Sequence, residues 1–110
     1  MRRRVVITGM GAVTPAGNDV RSTWQAVLDG RSGIGRITSF DPGQLKTQIA
    51  AEVKDFDPTR YMDRKDARRM DRVIQLAVNA AGEAIQDAAL DLAHLDRDRV
   101  GIVIGSGIGG

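Results

Sequence analysis

The chain contains no cysteine, one histidine and only four aromatic side chains, Trp24, Phe40, Phe56 and Tyr61, among 110 residues. Without cysteine it has no disulfide, no thiol nucleophile and no thiolate metal site. The lone histidine, His94, has no nucleophile or metal-ligand partner near it in sequence and reads as a surface residue. So few aromatics leave no stacking platform for nucleic acid, and no apolar run approaches the roughly 18 residues of a membrane span. Arg2-Arg3-Arg4 followed by Val5-Val6-Ile7 is too short for the apolar region of a signal peptide. The expectation is a cytoplasmic protein with no membrane and no nucleic-acid partner. Sixteen basic and fourteen acidic side chains leave a net charge of +2, so the basicity that matters is local, at residues 2–4 and 64–72.

What the chain does have is a long periodic segment, residues 63–91. Met70, Val73, Ile74, Ala77, Val78, Ala81, Ile85 and Ala88 recur at three- and four-residue spacing, the signature of one helix face. A single helix over this stretch is predicted to run roughly 42 Å. Ala80, Gly82, Ala84 and Ala89 around that face would let neighbouring backbones come close, so its C-terminal half is expected to be covered on more than one side. Its start breaks a rule. Arg64, Lys65, Arg68, Arg69 and Arg72 crowd the end where the helix dipole is already positive. On one helix they fall within an arc of roughly 140° opposite the apolar face. Asp63 is a candidate cap, and Asp66 and Asp71 offset part of the charge. Two readings fit: a solvated basic face, or a surface for an anionic partner.

In chain order, residues 5–7 are a short apolar run without alternation, which suits a strand buried on both faces of a parallel sheet. Thr14-Pro15-Ala16-Gly17-Asn18 is a loop. Asp19 or Ser22 caps a helix whose apolar face is Val20, Trp24, Val27 and Leu28, with Ser22 and Gln25 spaced as a capping box and Gly30 placed to end it. The next thirty residues are irregular, with a turn at Asp41-Pro42-Gly43, a short strand within residues 48–53 and a turn or single helical turn at Asp57-Pro58. Residues 90–99 read as a connection and residues 100–104 as a second buried strand. Two such strands need helix layers and further strands that these residues do not supply, so the chain reads as the N-terminal piece of a larger protein.

Candidate chemistry is sparse. Gly9-Met10-Gly11 after a strand suggests a dinucleotide fingerprint, but Thr14 stands at its third glycine and no acidic residue ends a second strand; a tight turn is the alternative. Asp55 and Asp57 flank Phe56 beside a turn and read as solvated. Gly105-Ser106-Gly107-Ile108-Gly109-Gly110 is sharper: Gly107 and Gly109 free the backbone on either side of Ile108, the one large side chain in the loop. It is either a ligand-approaching loop at a strand end or a packing turn. No nucleophile, base and oxyanion site assemble within the chain, and neither a metal nor a cofactor is implied.

In series, Arg3-Arg4-Val5-Val6-Ile7-Thr8-Gly9-Met10-Gly11, Pro15-Ala16-Gly17-Asn18, Trp24, Gly30-Arg31-Ser32-Gly33-Ile34, Phe40-Asp41, Arg64-Lys65-Asp66-Ala67-Arg68-Arg69-Met70-Asp71 and the terminal glycine loop resemble the start of the β-ketoacyl-[acyl carrier protein] synthases, especially synthase II of bacterial fatty-acid synthesis. The resemblance implies an α/β, thiolase-like fold of αβαβα layers working as a homodimer, of which residues 1–110 form the N-terminal portion. It implies a decarboxylative Claisen condensation joining an acyl thioester to malonyl-[acyl carrier protein], in 3-oxoacyl-[acyl carrier protein] formation. The family's catalytic cysteine and histidines match nothing here. Lys65, Arg68 and Arg69 match the patch that docks the acidic acyl carrier protein, and Ile108, between Gly107 and Gly109, matches the gate of the acyl pocket. The rival readings are a non-enzymatic anion- or nucleic-acid-binding module using the basic helix start and a catalytically inactive chain-length partner.

Overall fold

In the computed structural model, which describes residues 1–110, the chain divides into two compact units: Ala12–Asp57, and Met1–Gly11 together with Pro58–Gly110. The first contains helix α1 (Val20–Leu28) and a hairpin of β1 (Ile34–Arg36) with β2 (Ile49–Ala51). The second contains a 3-10 turn (Pro58–Arg60), α2 (Arg64–Ala67), α3 (Arg72–Asp87) and a second 3-10 turn (Arg97–Arg99). No helix is long and apolar enough to cross a membrane.

Helix α1 starts and stops where local chemistry directs. Asp19 caps it by accepting from the Ser22 amide at 2.7 Å, and the Ser22 hydroxyl accepts from the Asp19 amide at 3.3 Å. The capping box is thus Asp19 with Ser22, not Ser22 with Gln25 as expected, because the chain turns helical three residues earlier. At the other end Gly30 takes φ 65°, its amide donating to Val27 O and the Arg31 amide to Ala26 O, so two terminal carbonyls are satisfied. The strand expected within residues 48–53 is β2, paired antiparallel with β1 in the register Ile34 to Ala51 and Arg36 to Ile49. Across the 37–48 connection, Glu52 ties the far loop: its carboxylate accepts from the Thr38 amide and hydroxyl, each at 2.9 Å, and from the Ser39 amide at 3.1 Å. Asn18 clamps a strained turn, donating to Lys54 O and to the carbonyl of Asp55, a non-glycine residue at φ 52°.

Two expectations fail in the second unit. The single helix over residues 63–91 is broken: α2 ends at its cap Arg68, and Asp71, extended at ψ 156°, begins α3 afresh. The two runs expected as buried parallel strands, residues 5–7 and 100–104, are unpaired and exposed, Val5 at 93% and Val103 at 99%. A strand of that kind exists only against neighbouring strands, and the only ladder in the structure is the β1–β2 hairpin. The expectation for the C-terminal half of the helix does hold. Ala80, Ala84 and Ala88 approach residues 9–11 on one side of α3, and Gly82 meets Tyr61 on another.

Candidate functional site

The cationic segment is built as a hinge between two helices. Asp63 caps α2, its carboxylate accepting from the Asp66 amide at 2.8 Å. Arg64 and Lys65 stand in that single turn, Arg68 and Arg69 in the connection, and Arg72 at the first position of α3. The cations therefore do not share one arc of one helix. Only those adjoining α3 sit at the positive end of a helix long enough to have a sizeable dipole. Arg64, Lys65, Arg68 and Arg69 are exposed and form no ion pair, whereas Arg31 pairs with Asp29 at 3.3 Å. Five cations face three carboxylates, Asp63, Asp66 and Asp71, over ten residues, which leaves the segment positive.

One polar stripe of α3 holds this segment. Gln75, Asn79, Gly82 and Gln86 fall within roughly 60° of one another around the helix axis. Gln75 Nε2 donates to Ala67 O at 2.7 Å and to Met70 O at 3.2 Å. Asn79, 4% exposed, donates to Pro58 O at 3.0 Å and to Gln75 O at 2.9 Å. The Tyr61 ring lies on Gly82, where any Cβ would meet Tyr61 Cγ, and its hydroxyl donates to Gln86 at 2.8 Å. Arg60 lies 5.2 Å from the centre of that ring. Sequence periodicity missed Gln75, Asn79 and Gln86 because it scores apolar positions; the available signal was a second, polar series at 75, 79 and 86, offset from the apolar one.

The glycine loop ends at the same hinge. A Cβ on Gly110 would lie 2.5 Å from Asp71 Cβ, so the chain passes directly over the residue that begins α3. Ile108 is fully exposed, Gly107 has nothing within 4 Å of its missing Cβ, and Gly109 takes φ 91°. Both sequence-derived candidates, Lys65 with Arg68 and Arg69 and Ile108 with its glycines, thus lie in one unit and adjoin one junction. The dinucleotide fingerprint does not survive. Cβ atoms at Gly9 and Gly11 would meet Ala84 O and Ala80 O, so these glycines serve close packing on α3. The Met10 amide reinforces that packing by donating to Asp87 at 2.9 Å. His94 is exposed and hydrogen-bonds Asp91 at 2.6 Å; Asp55 and Asp57 are exposed, as expected.

Comparison with known proteins defines the class. The profile of the β-ketoacyl synthase N-terminal domain matches residues 2–110. Over 109 residues, 99% of its length, the chain is 50% identical to the 3-oxoacyl-[acyl-carrier-protein] synthase 2 of Synechocystis sp. and to that of Vibrio harveyi. Over 108 residues it is 51% identical to the protein of that name from Staphylococcus aureus strain COL. Each match covers 26% of the relative, so the chain spans about a quarter of the length of these relatives. Among solved structures, the ishigamide ketosynthase/chain length factor superposes with a TM-score of 0.77 at 39% identity, over 86% of this chain and 24% of that one. A β-ketoacyl synthase from Burkholderia phymatum STM815 gives 0.69 at 35%, over 88% and 24%. The chain belongs to the β-ketoacyl synthase family, and the part of the family it matches is the N-terminal domain.

Proposed function

We propose that this chain is the N-terminal portion of an elongating 3-oxoacyl-[acyl carrier protein] synthase, a cytoplasmic homodimer of thiolase-like αβαβα layers. The observation that carries the reading is 50% identity, over nearly the whole chain, to relatives named 3-oxoacyl-[acyl-carrier-protein] synthase 2. In the proposed reaction an acyl group is held as a thioester on an enzyme cysteine outside these residues. Malonyl-[acyl carrier protein] loses carbon dioxide, and the resulting carbanion attacks the acyl carbonyl. A carbon–carbon bond forms, the carbon–sulfur bond to the cysteine breaks with its electron pair going to sulfur, and the 3-oxoacyl product stays on the carrier. The residues present here serve recognition in that scheme. Lys65, Arg68 and Arg69, exposed and unpaired, dock the acidic carrier. Ile108, on a backbone freed by Gly107 and Gly109, gates the acyl pocket.

The intact protein supplied with acyl- and malonyl-[acyl carrier protein] should release one carbon dioxide per 3-oxoacyl product. Carrier binding without any condensation would instead support the inactive chain-length partner. Equal affinity for any acidic protein would support a simple anion-binding module.

A further inference from the structure

We propose that Gln75 is the positioning residue of the carrier-docking segment, setting the break between α2 and α3 that presents Arg68 and Arg69; this rests on the docking reading above. In an uninterrupted helix the Ala67 carbonyl would accept from the Asp71 amide and the Met70 carbonyl from the Ile74 amide. The break removes both bonds: Asp71 is extended, and the Ile74 amide turns instead to Asp71 O at 3.0 Å. Gln75 Nε2 takes the place of both lost donors, at 2.7 Å to Ala67 O and 3.2 Å to Met70 O. One side-chain amide therefore satisfies the two carbonyls that bracket residues 68–70. Unsatisfied, they would favour closing the helix through that stretch, whose apolar period continues across the break and so does not resist it.

Closure would matter for recognition. It would wind Arg68 and Arg69 onto the axis of α3 and remove the extended Asp71 over which Gly110 passes. The neighbouring contacts of the same stripe, Asn79 to Pro58 O and Tyr61 to Gln86, anchor the segment on the far side of α2 and leave the break itself to Gln75.

The test uses the intact protein with acyl carrier protein as the probe. Gln75→Met keeps length and helix propensity while deleting the donor. Its KM for carrier-borne substrate should rise about 3- to 30-fold, the scale of a few exposed charge pairs lost together, with kcat unchanged. Turnover of a small soluble acyl thioester should not change, and the Cα chemical shift of Asp71, extended in the wild type, should move toward helical values. Gln75→Glu, of equal length but presenting acceptors to the same carbonyls, should give the same split. Gln75→His, with a neutral ring N–H at pH 8, should restore most of the carrier affinity. An unchanged carrier KM in Gln75→Met, with Lys65→Glu/Arg68→Glu/Arg69→Glu strongly impaired, overturns the role of Gln75 and leaves docking intact. Unchanged KM in the triple variant overturns the docking reading itself. Equal loss on both substrates reduces Gln75 to a general structural residue.

Discussion

Replacing Ile108 with phenylalanine separates the gate from a packing turn, and the structure sharpens the contrast. Ile108 is fully exposed and the backbone beside it is open, with nothing within 4 Å of a Cβ at Gly107 or Gly109. The larger ring therefore displaces no packed neighbour, and stability should stay within about 0.5 kcal/mol, the range of ordinary surface changes. At a pocket mouth the outcome differs. Overfilling an apolar site costs on the order of 1–3 kcal/mol, or roughly 5- to 150-fold in rate for substrates that need the space. Acyl chains too short to reach the gate escape that cost. Elongation rates of the intact Ile108→Phe protein over primers of increasing length, measured with the melting temperature, should show a truncated length profile on an unaltered fold. A uniform fall across all lengths would refute the gate.

Three further outcomes follow from local geometry. Hydrogen bonds from the Ser39 hydroxyl, the Thr38 amide and hydroxyl and the Ser39 amide hold Glu52 well below its ordinary 4.5, at about 2. A depressed carboxylate stabilises the fold above the unfolded value and loses that contribution as pH falls toward 2, so the gap in urea midpoint between wild type and Glu52→Gln should shrink across that window; a gap independent of pH would contradict it. Ala89 occupies the left-handed position after α3 at φ 49°, its amide donating to Gln86 O and the Leu90 amide to Ile85 O. Relief of about 1–2 kcal/mol of left-handed strain outweighs glycine's extra chain entropy of about 0.4–1 kcal/mol, so Ala89→Gly should raise stability in denaturant titration. Gly82→Ala drives a methyl group into the Tyr61 ring and should cost about 1–3 kcal/mol, with recovery in Tyr61→Ala/Gly82→Ala relative to additivity.

The features legible in the sequence were those decided within a few residues. Asp19 before α1, Gly30 after it and the single helical turn at Pro58–Arg60 each follow from one residue's backbone preference or side-chain reach. The break at residues 68–71 did not follow, because its cause lies in side-chain donors that reach backward. Asp71 preceding Arg72-Val73-Ile74 is an N-cap in form, yet the apolar period runs through it unbroken. Residues 5–7 and 100–104 carry the composition of buried strands, but composition specifies only what a strand will tolerate. Pairing depends on a neighbour in space, and neither run has one in this structure. Of the candidate site, the residue types were readable and their arrangement was not: the five cations do not share the arc a single helix would impose.

The organising role assigned to residues 63–91 therefore belongs to α3 alone, and it works through the absence of bulk as much as through apolar surface. Ala80, Ala84 and Ala88 admit the backbone of Gly9 and Gly11 along one side. Gln75, Asn79, Gly82 and Gln86 receive the chain from Pro58 to Met70 on the opposite side. Ile74 and Ala81, on the arc between, stay exposed although the apolar period includes them. Larger side chains at positions 80, 82, 84 and 88 would push away both the N-terminal segment and Tyr61. Val78 and Ile85 on the same arc are half-buried, so hydrophobic periodicity, taken alone, marks where a helix can be buried rather than how far each position is.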